Sequence, residues 1–171
     1  VAACAVDQAE MVSQVEKVIS ALKKGKGYDL VRQRGIALED VPCDGEIAFL
    51  FTGQGSQYIG MGLDLAEQFP IVKATFVEAD EVMTPLLGRS LTSLIARDPS
   101  MTEEEQFDRL RDTAISQPAT LTVDVALLRL LSAYGVRPDM VAGHSLGEYA
   151  ALVAAGILSF KDALVAVSAR G

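Results

Sequence analysis

Gly143-His144-Ser145-Leu146-Gly147 sets a serine between two glycines. A short apolar run, Met140-Val141-Ala142, comes before it, and a helix-compatible run, Glu148 to Ala155, comes after it. That is the order of a nucleophile elbow, a sharp strand-to-helix turn with a serine at its tip. The chemistry it suits is covalent acyl transfer. A serine hydroxyl is a weak nucleophile, so it must be exposed, held sharply and faced by donors that receive the oxyanion it creates. Flanking glycines remove the Cβ atoms that would collide in so tight a turn. Three fixed positions alone make a weak pattern, and the competing reading is a plain glycine-rich turn that carries a serine. Context adds weight: Arg137-Pro138-Asp139 reads as the turn before the strand, and Gly156 as the helix stop.

Two further features carry candidate chemistry. Thr52-Gly53-Gln54-Gly55-Ser56-Gln57 follows the apolar run Ile47 to Phe51. A dinucleotide fingerprint needs glycine at position 58, where Tyr58 stands, and a phosphate-binding P-loop needs a lysine that is absent. What remains is a loop presenting backbone N–H groups to an oxyanion, or an ordinary turn. Loops at the carboxyl ends of neighbouring parallel strands meet, so this loop and the elbow are able to face each other. The second feature is Arg170. It continues the stripe of Phe160, Ala163, Leu164 and Val167, which points its guanidinium inward. An inward arginine needs a carboxylate, from the protein or from a substrate, unless its near-terminal place lets it reach solvent.

The elements that must position these residues are legible from periodicity. Asp7 to Lys24 is an amphipathic helix with Met11, Val15, Val18, Ile19 and Leu22 on one stripe and Gly25 as its stop. Tyr28 to Gly45 is mixed and polar, with turn signals at Pro42 and Asp44-Gly45, and a boundary is placed near Gly45. Ile47 to Phe51 is a strand buried on both faces of a parallel sheet. Gly60 to Phe69 and Pro70 to Met83 are helices. Ser100 to Glu103 resembles a capping box ahead of Glu104 to Asp112. Pro118 opens a helix with Leu121, Val125, Leu128 and Leu131 on its stripe, closed by Gly135. Ser159 to Ala169 is the last helix, with Ser159 and Asp162 as its capping pair. Strands alternate with helices from residue 47 onward, so the class is α/β with a parallel sheet.

The chain has 171 residues, half of them hydrophobic, with a formal net charge of −8. That is enough to fold one sizeable core. The acidic balance argues against nucleic acid or an anionic membrane surface as a partner. No run of about 18 uninterrupted apolar residues is present, so no membrane span is expected. Cys4 and Cys43 lack metal-ligand spacing and are read as reduced thiols of a cytoplasmic protein. The chain starts at Val1 and stops after a helix-like segment, and it is expected to be a piece of a longer polypeptide.

Taken together, four motifs resemble the malonyl-CoA/acyl-CoA:acyl carrier protein acyltransferase family of polyketide and fatty acid synthases. They are Phe51-Thr52-Gly53-Gln54-Gly55-Ser56-Gln57, Ser116-Gln117-Pro118-Ala119, Val141 through Glu148, and Ala169-Arg170-Gly171. The resemblance covers residues 46 to 171, and residues 1 to 45 resemble the linker between a ketosynthase and an acyltransferase. It implies an α/β-hydrolase-like core that lacks the family's ferredoxin-like small subdomain, preceded by a helical linker. It implies that Ser145 is the nucleophile, that the Gln54 and Leu146 amides form the oxyanion hole, and that Arg170 grips a substrate carboxylate. Gln117 matches a glutamine lining the site. His144 is read as a packed residue beside the site, able to line the substrate but badly placed to deprotonate Ser145, since neighbouring side chains diverge in an elbow. Leu146 after the serine resembles malonyl-selective members.

The implied substrate is malonyl-CoA or a related coenzyme A thioester, and the acceptor is the phosphopantetheine thiol of an acyl carrier protein. No resident cofactor or metal is implied. Neighbouring synthase domains such as the ketosynthase are the other expected partners. Thr52 departs from a common proline. The larger departure is that the family's basic histidine and small subdomain have no counterpart in these residues. Two rivals remain: a serine hydrolase or thioesterase with the same elbow, and an acyltransferase-derived scaffold without activity.

Overall fold

Asp7 caps the first helix by accepting from the Glu10 amide, and Gly25 ends it in the left-handed region; between them lies α1, Gln8–Lys24. The computed structural model describes residues 5–26, 36 and 45–171. Cys4, Cys43, Pro42 and most of the polar Tyr28 to Gly45 stretch therefore lie outside the described residues. The chain divides into two compact units, Val1–Gly45 and Glu46–Gly171. In the first, Val18 and Ala21 pack with Ile36, and Gln14 shares their buried side. The expected stripe is corrected here: Val18 is buried, but Met11, Val15, Ile19 and Leu22 are exposed. The buried line runs through Gln14, Val18 and Ala21; it shares Val18 with the expected stripe and otherwise lies one position before Val15 and Leu22.

The second unit is built around two short parallel strands, β1 (Ala48–Phe51) and β2 (Met140–Gly143), with Phe51 opposite Gly143. Asp139 fixes the start of the pair, its carboxylate accepting from the Ile47 amide at 2.7 Å. Between the strands run α2 (Leu63–Gln68), α3 (Pro70–Leu87), α4 (Leu91–Ile95), α5 (Glu103–Arg111) and α6 (Thr113–Ala133). After β2 come α7 (Gly147–Ala154) and α8 (Phe160–Arg170). The core joins Val72, Phe76 and Met83 of α3, Leu121 and Val125 of α6, and Leu164 and Val167 of α8. Arg129 ties three helices together. Its Nη1 donates to Glu78 at 2.8 Å and to Thr75 at 3.1 Å, and its guanidinium lies 5.2 Å from the Phe160 ring.

Several boundaries differ from the sequence reading for local reasons. Pro118 does not open α6; it lies inside it. Asp112 caps the helix upstream by accepting from the Ala114 amide at 3.0 Å, so the first turn forms before the proline. The capping box is Thr102 with Glu105, two residues beyond the expected pair, and those bonds hold the Glu105 carboxyl below its usual range. The strand expected to be buried on both faces has one uncovered side: Phe51 is buried, but Leu50 is 78% exposed. Among the described residues β1 has a single strand neighbour, and apolar sequence alone does not reveal how many layers cover a strand. α6 also proves long and apolar enough, by length and composition, to cross a membrane. Its composition has a simpler cause, because α3, α4, α5, α7 and α8 all pack against it.

Candidate active site

β2 ends at Gly143 and α7 begins at Gly147, so the chain reverses within three residues. The His144 amide donates to Phe51 O at 3.2 Å and extends the strand pairing by one step. The Gly147 and Glu148 amides then donate back to His144 O and Ser145 O, at 3.0 and 3.2 Å. Ser145 between them has φ 55°, and it is the one non-glycine with positive φ among the described residues. A left-handed serine is strained, and such strain collects at functional turns. The flanking glycines serve a different need. A Cβ at Gly143 would collide with the Gly147 carbonyl, and a Cβ at Gly147 would collide with Phe51 O and come within 2.7 Å of Thr52 O. The strain sits on the serine, while the glycines make room for it.

The glycine loop after β1 meets this turn. A Cβ at Gly53 would lie 2.8 Å from His144 Nδ1 and 3.0 Å from His144 O, so the two loops touch at Gly53. The loop holds its own shape. Thr52 and Ser56 hydroxyls are 3.0 Å apart, Ser56 donates to Gly53 O, and the Gly55 amide donates to Gln57 Oε1 at 2.8 Å. Gln54 is exposed at its tip. Neither the Gln54 nor the Leu146 amide donates to another described residue. Leu146 is buried as a whole, and its amide follows Ser145 directly in the chain.

Arg170 reaches the serine from the end of α8. Its Nη2 donates to Ser145 Oγ at 3.1 Å, and its guanidinium carbon lies 5.9 Å from the centre of the Tyr149 ring. Of the two directions the stripe left open, the exposed one holds and the inward one does not. Phe160, Ala163, Leu164 and Val167 are buried, but Arg170 is exposed, because α8 runs past the core at its last turn. Among the described residues no carboxylate pairs with it. The next residue is anchored: Thr113 Oγ1 donates to Gly171 O at 3.3 Å, and a Cβ at Gly171 would meet Thr113 O. His144, Ser145, Glu148, Tyr149, Leu152 and Arg170 line an open cavity of about 610 Å³. His144 is exposed on that cavity rather than packed, because the turn carries it past the end of β2, and no hydrogen bond joins it to Ser145 among the described residues. A partly exposed hydroxyl beside a cation, with two unoccupied amides nearby, is equipped to take an acyl group.

Gln117 is not a wall of that cavity. It is buried in α6, with its Oε1 unpaired among the described residues, as are the Ser116 and Thr120 hydroxyl oxygens. One turn further along α6 stands Asp124, which the sequence reading did not single out. Its Oδ2 is buried without a partner, and burial pushes its pKa from 3.8 up to about 7. It lies in a second cavity of about 260 Å³, against β1 and Leu127, Leu128 and Leu131. Tyr149 was also missed, although it stands four residues after the serine and so one turn along α7.

The acyl transferase domain family matches residues 48–171. The malonyl CoA-acyl carrier protein transacylase of Bacillus subtilis (strain 168) is 52% identical over 126 residues, 74% of this chain and 36% of that protein. Polyketide synthase GfsA of Streptomyces halstedii is 43% identical over 169 residues, 96% of this chain and 2% of the synthase. The crystal structure of MCAT from Streptococcus pneumoniae superposes with a TM-score of 0.63 at 51% identity, covering 73% of this chain and 37% of that one. The chain thus spans well under half the length of these relatives.

Proposed function

This chain belongs to the acyl transferase domain family, and from that premise we propose that it carries the nucleophile of an enzyme moving a malonyl group from coenzyme A to an acyl carrier protein. The observation that carries the reading is the 3.1 Å bond from Arg170 Nη2 to Ser145 Oγ. A hydroxyl that accepts an acyl group, with an unpaired guanidinium beside it, fits an acyl chain that ends in a carboxylate.

In the first step Ser145 Oγ attacks the thioester carbonyl carbon. The new C–O bond forms, the carbonyl oxygen becomes an oxyanion facing the Gln54 and Leu146 amides, and the Oγ proton passes to a base. The tetrahedral centre collapses, the C–S bond breaks, and coenzyme A leaves as its thiol. In the second step the phosphopantetheine thiol of the carrier protein attacks the ester, and Ser145 recovers its proton. Arg170 holds the substrate carboxylate throughout. Gln117 is assigned a supporting place behind the site, and His144 a lining one. The base belongs to the part of the family's length that this chain does not span, because no described side chain is bonded to Ser145 as a base must be.

Residues 1–45 are proposed to be the segment that joins a ketosynthase to the acyltransferase core, residues 46–171. The GfsA match supports this by running across nearly the whole chain. Cytoplasmic placement belongs to the same proposal. The test is acyl-enzyme formation in the whole protein. Incubation with malonyl-CoA should add one malonyl unit to the peptide holding Ser145, read by mass spectrometry, and S145A should abolish it. Persistent labelling of S145A at another residue would end the assignment.

A further inference from the structure

We propose that Tyr149 is a positioning residue for Arg170: its ring is the surface on which the guanidinium is held over Ser145, and this sets the preference for acyl groups that end in a carboxylate. The inference rests on the acyl-transfer reading and adds a residue to it. Three observations carry it. The Tyr149 ring centre lies 5.9 Å from the guanidinium carbon of Arg170, within the range of a cation held over an aromatic face. The same guanidinium donates to Ser145 Oγ. All three side chains line one cavity.

The need for such a support follows from exposure. Arg170 is exposed at the last turn of α8, and no described carboxylate fixes its head. A free arginine side chain loses considerable rotamer freedom when it is held in one place. Tyr149 is partly buried in the first turn of α7, so its ring direction is set by the same helix that begins at the elbow. The ring therefore transmits the position of the elbow to the arginine. In the resting site Nη2 bonds to Oγ itself. Once Ser145 is acylated, the carboxylate of a malonyl ester lies one methylene beyond the ester carbonyl, and the guanidinium must shift outward to meet it. At 5.9 Å the guanidinium is near the outer reach of the ring face, so Tyr149 holds it chiefly in the resting site, before the carboxylate draws it outward. A salt bridge to a protein carboxylate would fix the arginine equally well, but it would compete with the substrate for the same fork.

The experiment compares Y149F, Y149L and R170A in the whole protein, with malonyl-CoA and acetyl-CoA as donors. Y149F keeps the face and should behave as the parent does. Y149L should raise the KM for malonyl-CoA about two- to fivefold, with kcat nearly constant and acetyl transfer unchanged. Equal losses for both donors, or a Y149F as impaired as Y149L, would overturn the inference. If Y149L does not fold, Y149M is read in its place, since it fills similar volume without a π face. R170A separates the two levels of the argument. Unchanged malonyl transfer in R170A sinks the underlying reading, whereas a malonyl-selective loss in R170A with a parent-like Y149L sinks the Tyr149 inference alone.

Discussion

The Ser145 pocket opens beyond the end of β2 and the Asp124 cavity lies against β1, and they treat a polar group in opposite ways. Ser145 Oγ is partly exposed and accepts from Arg170 at 3.1 Å. Asp124 Oδ2 is buried, unpaired among the described residues, and surrounded by Leu127, Leu128, Leu131 and β1. The first arrangement keeps a hydroxyl within reach of solvent, donors and substrate. The second suppresses a charge, since burial without a partner favours the protonated acid. A perturbed carboxyl is often a sign of a functional site, but here the group with chemical prospects is the solvated one. What distinguishes them is access: Ser145 opens onto the larger cavity beside two unoccupied amides, and Asp124 has apolar walls.

The strongest way to break the pocket is to fill the space the elbow needs. In G143A the new methyl would collide with the Gly147 carbonyl, and Gly147 is itself wedged against Phe51 and Thr52. Backbone on both sides leaves nothing flexible to yield. The expected loss is about 3 kcal/mol or more, seen as a fall in melting temperature together with loss of acyl labelling. A G143A protein that melts with the parent and still labels at Ser145 would show that the turn has slack.

Next in size is R170A, which tests the other partner in the pocket. Losing a charge-assisted grip on a carboxylate should lower kcat/KM for malonyl-CoA by about 2 kcal/mol, roughly thirtyfold, while acetyl-CoA is spared. Equal losses for both substrates would make Arg170 a structural residue.

How legible was all this from the chain alone? The elbow was, because its signals are local: a strand, two glycines and a helix within a few residues. That the two loops could face each other followed from strand direction, but their contact at Gly53 and His144 did not. Arg170 was left between two directions, inward or to solvent, since extending an apolar stripe by one step assumes that the core continues under the helix end, and only the neighbouring helices decide that. The uncovered side of β1 at Leu50 was hidden for the same reason. Pro118 was read as a helix start because it suits a first turn, but Asp112 competed for that role and won. Tyr149 and Asp124 were invisible, because each owes its significance to a tertiary neighbour: Arg170 from α8 in one case, the apolar underside of β1 in the other. The buried hydroxyls of Ser116 and Thr120 belong to the same class.

Asp124 offers a smaller effect with a definite sign. Its folded-state pKa is raised from 3.8 to about 7 by burial. Below pH 4 both states hold the proton. Between the two values the folded state keeps it and the unfolded state loses it, so stability falls as pH rises through that window and levels off above it. D124N cannot ionise, so this fall should be absent from its profile. Allowing for incomplete burial, the variant should gain about 2 kcal/mol over the parent at about pH 8 and little at about pH 4. Melting curves across that range decide it, and a parent whose profile runs parallel to that of D124N would show that Asp124 ionises freely.

The smallest effect concerns the strain at the serine itself. Comparing S145G with the parent would confuse three changes: relief of the left-handed backbone, loss of the Arg170 bond and a more flexible unfolded chain. The useful pair is S145G against S145A. Both lack the hydroxyl, so the Arg170 contact cancels. Alanine keeps a Cβ at φ 55° and glycine does not. Glycine's greater freedom in the unfolded chain works against it by about 0.5–1 kcal/mol, and relief of the left-handed strain works for it by about 1–2 kcal/mol. S145G should therefore be the more stable of the two by about 1 kcal/mol, a difference of a few degrees in melting temperature. If S145A melts at the same temperature or higher, the turn holds its serine without strain, and the elbow owes its shape to the space left by Gly143 and Gly147 alone.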